Sequence, residues 1–201
     1  MIKNLQINEE SFPFQILRKM YDWEGRFYHT ISHVQSMMDF ASKEPDFTIN
    51  VALAILYHDI IIITGSEENE LASASFFKSM WENGLIDSLF INKEDLNSVN
   101  SDKVFDLILA TKDHRFTGDP ENDLLMKADL LWYYKDKNGY QLINENLIRK
   151  EFQSKSTYRY LTGRIEFLEN LKKTLGEDGV LEDYIKGIDE NILYLKERFE
   201  K

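Results

Sequence analysis

Thr48-Ile49-Asn50-Val51-Ala52-Leu53-Ala54-Ile55-Leu56-Tyr57-His58-Asp59-Ile60-Ile61-Ile62-Ile63 is the stretch on which the fold turns. A helix at the surface carries one apolar stripe, whereas Val51, Ala52, Leu53, Ile55 and Leu56 are apolar almost all round, the pattern of a buried central helix. Thr48 or Asn50 can cap its start. The tail, residues 60–63, is β-branched, and periodicity alone reads it equally well as a strand. No alternating partner strand appears elsewhere in the chain, so the tail is assigned to the end of the helix and the fold class is all-α.

The flanking sequence agrees with that assignment. Three prolines and nine glycines leave few breaks in the chain, and long helices are the natural outcome. Ser11 caps a helix through Phe14, Leu17, Met20 and Tyr21 that breaks near Gly25, and a second runs over about 30–41. Residues 67–81 form another, with Ser66 as its cap and Glu67, Glu68 and Glu70 in the first turn, where the macrodipole favours anions. Residues 86–100 read as a short helix and a loop. Helical spacing resumes over 102–111, a turn follows at Gly118-Asp119-Pro120, and further helices are predicted at 123–134, 140–153, 157–174 and 181–199. No linker divides the 201 residues, so the expectation is one domain over 1–201, a bundle of about eight or nine helices.

Composition narrows the function. A hydrophobic fraction of 43% with 29% charged residues is that of a globular chain. Against 35 Asp and Glu stand 24 Lys and Arg, a net charge of −11, so long-range attraction to nucleic-acid polymers or anionic lipid has the wrong sign. Cysteine is absent, which excludes disulfides, thiolate zinc sites and cysteine nucleophiles. The opening residues lack an apolar signal core, and the 51–57 run is too short to span a bilayer. A cytoplasmic location without membrane association is the expectation.

Four histidines carry most of the chemical information: His29, His33, His58 and His114. The first two are four apart and would share a helix face, about 6 Å along the axis. The third is followed by Asp59 inside an apolar run, where an ionised carboxylate needs a partner. A divalent cation would supply one. Asp129, in Leu124-Leu125-Met126-Lys127-Ala128-Asp129-Leu130-Leu131-Trp132, is a second carboxylate in such a setting. His33, His58, Asp59 and Asp129 make a candidate ligand set for Mn, Fe, Co, Ni, Zn or Mg, with coordination positions left for water or substrate.

The ordered motifs resemble the HD superfamily of metal-dependent phosphohydrolases, and within it a group of small bacterial proteins. The resemblance rests on Arg26-Phe27-Tyr28-His29-Thr30-Ile31-Ser32-His33, Tyr57-His58-Asp59, Asn69-Glu70-Leu71-Ala72-Ser73-Ala74, Ala110-Thr111-Lys112-Asp113-His114, Ala128-Asp129-Leu130, Ile148-Arg149-Lys150-Glu151-Phe152 and Gly163-Arg164. Cyclic-nucleotide phosphodiesterases are similar at a greater distance, with an asparagine where this chain has Thr30. The resemblance implies an HD-type helical domain that cleaves a small phosphoester or nucleotide with a metal-activated water. In it His29 is the general acid and His33 a ligand, and Asp59 bridges to any second, weakly held ion. Glu70 is either a second carboxylate that orients water or His29, or simply an acidic residue at a helix start. Arg26, Lys112, His114 and Arg149 are candidate substrate-phosphate contacts, with structural salt bridges as the competing assignment. Three other functions are compatible with the same residues: a nucleotide-binding sensor without turnover, a mixed-valence di-iron oxygenase, and an interaction module with a structural metal.

Overall fold

The computed structural model describes residues 6–135, 140–177 and 182–199. Residues 1–5 and Leu181, the expected first residue of the last helix, lie outside them. The described residues are all-helical: α1 (Phe12–Tyr21), α2 (Ile31–Ala41), α3 (Ile49–Tyr57), α4 (Asn69–Glu82), α5 (Ser101–Ala110), α6 (Pro120–Asp129), α7 (Leu131–Lys135), α8 (Tyr140–Glu151), α9 (Thr157–Glu177) and α10 (Glu182–Phe199), with a 3-10 segment at Lys93–Ser98. Among them there is no strand, only an isolated antiparallel bridge between Ile7 and Phe90. No described helix is long and apolar enough to cross a membrane.

α3 is the central element. All of Val51 to Tyr57 is buried, and α2, α5 and α6 pack around it. Each fully buried Leu, Ile or Val contributes about 1.5–3 kcal/mol, so this short helix anchors the bundle. Thr48 is its cap, with Oγ1 accepting the Val51 N–H at 3.3 Å. Asn50 instead ties neighbouring elements together: its Oδ1 accepts the Asn100 N–H and its Nδ2 donates to Glu121.

The structure corrects the expectation that residues 60–63 continue α3. The helix ends at Tyr57, and side chains from two other segments, the lead-in to α2 and the start of α4, satisfy the backbone that follows. Arg26 donates to the Asp59 and Ile60 carbonyls at 2.7 and 2.8 Å. Ser73 accepts the Ile61 N–H, and Asn69 exchanges two hydrogen bonds with the backbone of Ile63. Polar partners supplied from elsewhere in the chain let the backbone leave the helix, a tertiary effect that local pattern does not carry. α4 likewise starts at Asn69 rather than at residue 67, because Ser66 Oγ closes a short turn on the Glu68 N–H. The predicted 123–134 helix is two helices. The first begins at the Asp119 cap with Pro120 in its first turn, and the chain breaks at Leu130 before α7. These divisions bring the described α-helices to ten rather than eight or nine.

Two apolar clusters fill the interior. One lies among α1 to α6, and the other, richer in aromatics, among α7 to α10 together with Tyr28. Phe116 packs against both. Close approach of α10 to α7 depends on Gly187, where a Cβ would stand 1.9 Å from the Tyr133 carbonyl oxygen.

Candidate functional site

His29 is not on a helix. It sits in the lead-in to α2, which starts at Ile31, although its ring remains 6.2 Å from that of His33. Glu151, near the end of α8, holds this lead-in: its Oε1 accepts the N–H groups of Phe27, Tyr28 and His29 at 2.7, 2.7 and 2.9 Å. Its Oε2 accepts from His29 Nδ1 at 2.6 Å. A carboxylate only accepts, so the Nδ1 proton is fixed on His29 and Nε2 is directed toward Asp59, whose Oδ2 is 4.0 Å away. Burial alone would lower the His29 pKa, but the charges of Asp59 and Glu151 outweigh it and raise the value. Against the opposing effect of burial, His29 holds Glu151 below the usual carboxylate range.

His58 and Asp59 follow the last residue of α3. His58 Nδ1 donates to the Ile55 carbonyl at 3.0 Å, which leaves the Nε2 lone pair facing inward. His58 Nε2 lies 3.0 Å from Asp59 Oδ2 and 3.8 Å from Asp129 Oδ1, and His33 Nε2 lies 3.3 Å from the same Asp129 oxygen. None of these approaches has hydrogen-bond geometry: both Nε2 atoms are buried and without a hydrogen-bond partner. His33, His58 and Asp129 each offer an atom within 4.8 Å of the others, a group that could hold a metal ion. Two inward imidazole nitrogens and a carboxylate suit a divalent first-row metal. In the protein alone, burial opposes the charge on His58, yet Asp59 and Asp129 push it up to about 9. Both carboxylates are held below their usual range, Asp59 chiefly by His58 and Asp129 chiefly by His114, in each case against burial.

His114 approaches the other oxygen of Asp129, at 3.2 Å from Nε2 to Oδ2. Its φ of 51° is the left-handed conformation that a non-glycine residue adopts at some cost. This places the ring on Asp129 and on the wall of a cavity of about 430 Å³. His29, Asp59, Glu70 and Asp129 share that wall, while His33 and His58 lie behind it.

Three candidate phosphate contacts do not line the cavity. Arg26 is committed to the carbonyls of His29, Asp59 and Ile60. Lys112 donates to the Glu67 carbonyl, and Arg149 to those of Phe152 and Lys155. The competing expectation of structural salt bridges is not met either: all three bond to backbone carbonyls rather than to carboxylates. The cations that do line the cavity are Lys155, Arg159 and Arg164. Lys155 and Arg159 have no distinctive mark in the sequence, since charged residues around an amphipathic helix are ordinary. Glu151 was discoverable in part, as a carboxylate beside Ile148 and Phe152 on the buried side of its helix. Arg164 is fixed by Glu145, 3.2 Å from its Nε, and by the Tyr133 hydroxyl, 3.0 Å away.

No protein-family model, curated protein or solved structure matches this chain. The chemistry of the site therefore stands on its own geometry.

Proposed function

We propose that this protein is a metal-dependent phosphohydrolase of the HD type, acting on a small phosphoester or nucleotide. The observation that carries the proposal is the pair of buried Nε2 atoms of His33 and His58, neither with a hydrogen-bond partner, converging on Asp129 behind a cavity that also holds His29 and three cations. Asp59, 3.0 Å from His58 Nε2 and on the cavity wall, completes the set as a fourth ligand. When bound, the ion supplies Lewis-acid polarisation of a phosphoryl oxygen and a lowered pKa for water.

The chain's own residues supply the rest. Glu151 orients His29 and favours its protonated form, so the imidazolium can give its Nε2 proton to the departing alkoxide oxygen as the P–O ester bond breaks and the oxygen of water bonds to phosphorus. Glu70 sits within reach of water in the same cavity. His114 orients Asp129 rather than the phosphate. Arg164, held by Glu145 and the Tyr133 hydroxyl, gives the cavity a rigid guanidinium wall whose charge is already paired.

The test compares His33→Ala with His29→Ala. The wild type should take up about one divalent ion per chain by elemental analysis and hydrolyse members of a phosphoester panel. His33→Ala should lose the ion and the activity together. His29→Ala should keep the ion and slow turnover roughly 10²–10⁴-fold, with a smaller loss on nitrophenyl esters, whose leaving groups need little protonation. Full activity in both variants would sink the hydrolase assignment, and metal loss in His29→Ala alone would exchange the two roles.

A further inference from the structure

Across the cavity from the carboxylates, one face of α9 makes a wall of a different kind. Arg159, Tyr160, Gly163, Arg164 and Phe167 line the cavity at successive turns, and Lys155 stands just before the helix. Arg164 is neutralised by Glu145. Lys155 and Arg159 are not: among the described residues neither is paired with a carboxylate, and the Lys155 ammonium rests 4.9 Å from the Phe152 ring centroid. Lys155 is half-buried and Arg159 exposed, so in a chain where 35 acidic residues outnumber 24 basic ones this wall keeps two cations that no carboxylate neutralises and that an anion in the cavity can reach.

Gly163 is a second, independent sign. Glycine inside a helix costs about 0.5–1 kcal/mol relative to alanine. A Cβ there would meet nothing within 4 Å, so close packing does not require the glycine. Its effect is to leave bare backbone on the wall one turn beyond Arg159, and thereby to keep space in the cavity. That space is about 430 Å³, against the roughly 30 Å³ that one liquid water occupies. It accommodates an organic body as well as a phosphate group.

From these features we infer that Lys155 and Arg159 form a second anion subsite. The substrate is a small phosphoester with two anionic groups: one at the His29 and Asp129 side, and a phosphate or carboxylate held by α9, with its body over Gly163. The inference rests on the phosphohydrolase proposal for the identity of the first group.

The experiment uses the metal-loaded full chain and Lys155→Gln/Arg159→Gln, with glucose 6-phosphate, fructose 1,6-bisphosphate and 3-phosphoglycerate as probes. The wild type should show a KM at least tenfold lower for one or both doubly anionic probes than for glucose 6-phosphate. In the variant that ratio should fall toward one. Preference for the bisphosphate alone assigns a phosphate to the subsite, and preference for the glycerate alone a carboxylate. No preference in the wild type, or a preference that survives in the variant, overturns the subsite. Calorimetric binding of fructose 1,6-bisphosphate to both proteins separates this from the parent proposal. A tenfold weaker affinity in the variant, with no turnover of any probe, upholds the subsite and defeats the hydrolase assignment. Turnover of 4-nitrophenyl phosphate with equal bisphosphate affinity in both proteins does the reverse.

Discussion

Around α3 the interior is mostly aliphatic, with Leu53, Ile55, Leu56, Val104, Leu107 and Leu125 among its buried residues. Between α7 and α10 it is aromatic and partly charged. Trp132 stacks on Tyr133 at 4.1 Å, Tyr160 donates to buried Glu145, and Arg164 bridges Glu145 and Tyr133. The first region supplies the candidate ligands and the second supplies Glu151 and the α9 wall. A close-packed aliphatic background holds imidazoles and carboxylates at fixed separations. A hydrogen-bonded network instead fixes charged groups whose value lies in their direction. The division puts the candidate ligands on the aliphatic half and the proposed substrate contact on the polar half.

The largest test of this contrast is Arg164→Met. The Glu145 side chain is only 2% exposed, so loss of its cation leaves a buried charge without adequate partners. Breaking such a pair costs about 3–5 kcal/mol. Replacing both residues, Glu145→Met/Arg164→Met, should recover most of that loss, because an apolar pair of similar volume needs no solvation. Denaturant unfolding measures both. A single variant within about 1 kcal/mol of wild type would show that the second region does not depend on its polar network.

Next in size is Glu151→Gln, which acts at the seam between the regions. The amide oxygen can still accept from the 27–29 backbone, but the charge that favours the His29 imidazolium is gone. Turnover should fall by roughly 10–100-fold, and the ion should stay bound. The pH profile gives the sharper reading. A raised His29 pKa means that the acid form persists to higher pH in the wild type, so the basic limb of kcat/KM should move to lower pH in the variant. An unmoved limb with a lower plateau would reduce Glu151 to a purely structural role.

The same contrast explains what could be read from sequence. His33, His58, Asp59 and Asp129 stand out because polar ligand types in apolar runs are conspicuous; the structure gathers His33, His58 and Asp129 into one group, with Asp59 beside His58. The helices were legible for the same reason, since their apolar positions repeat at helical spacing. The exit from α3 was not, because Arg26, Ser73 and Asn69 satisfy its backbone from distant positions. Arg26 and Arg149 resembled phosphate ligands only because an arginine's partner is invisible until the chain is folded.

The smallest effect belongs to Asp119, the cap of α6, which carries Asp129 at its far end. Asp119 Oδ1 accepts the Asn122 N–H at 3.0 Å, and Oδ2 pairs with Lys103 at 2.7 Å. Asp119→Ala removes both contacts and should cost about 0.5–2 kcal/mol, the usual effect of losing a cap. Asp119→Asn keeps the cap and loses only a half-exposed ion pair, for about 0–1 kcal/mol. The Lys103 contact, and then the Asn122 N–H, hold Asp119 below the ordinary carboxylate value. A lowered folded pKa means that the charge-dependent stabilisation is present above the unfolded value of about 3.9 and lost as pH falls through the folded one. Wild type and Asp119→Asn should therefore differ slightly at pH 7 and converge below pH ~3, while Asp119→Ala remains the least stable at both. If Asn and Ala lose the same amount at pH 7, the ion pair rather than the cap holds this end of α6, and the stability of the half that carries the candidate ligands would then depend on a surface charge as well as on its packing.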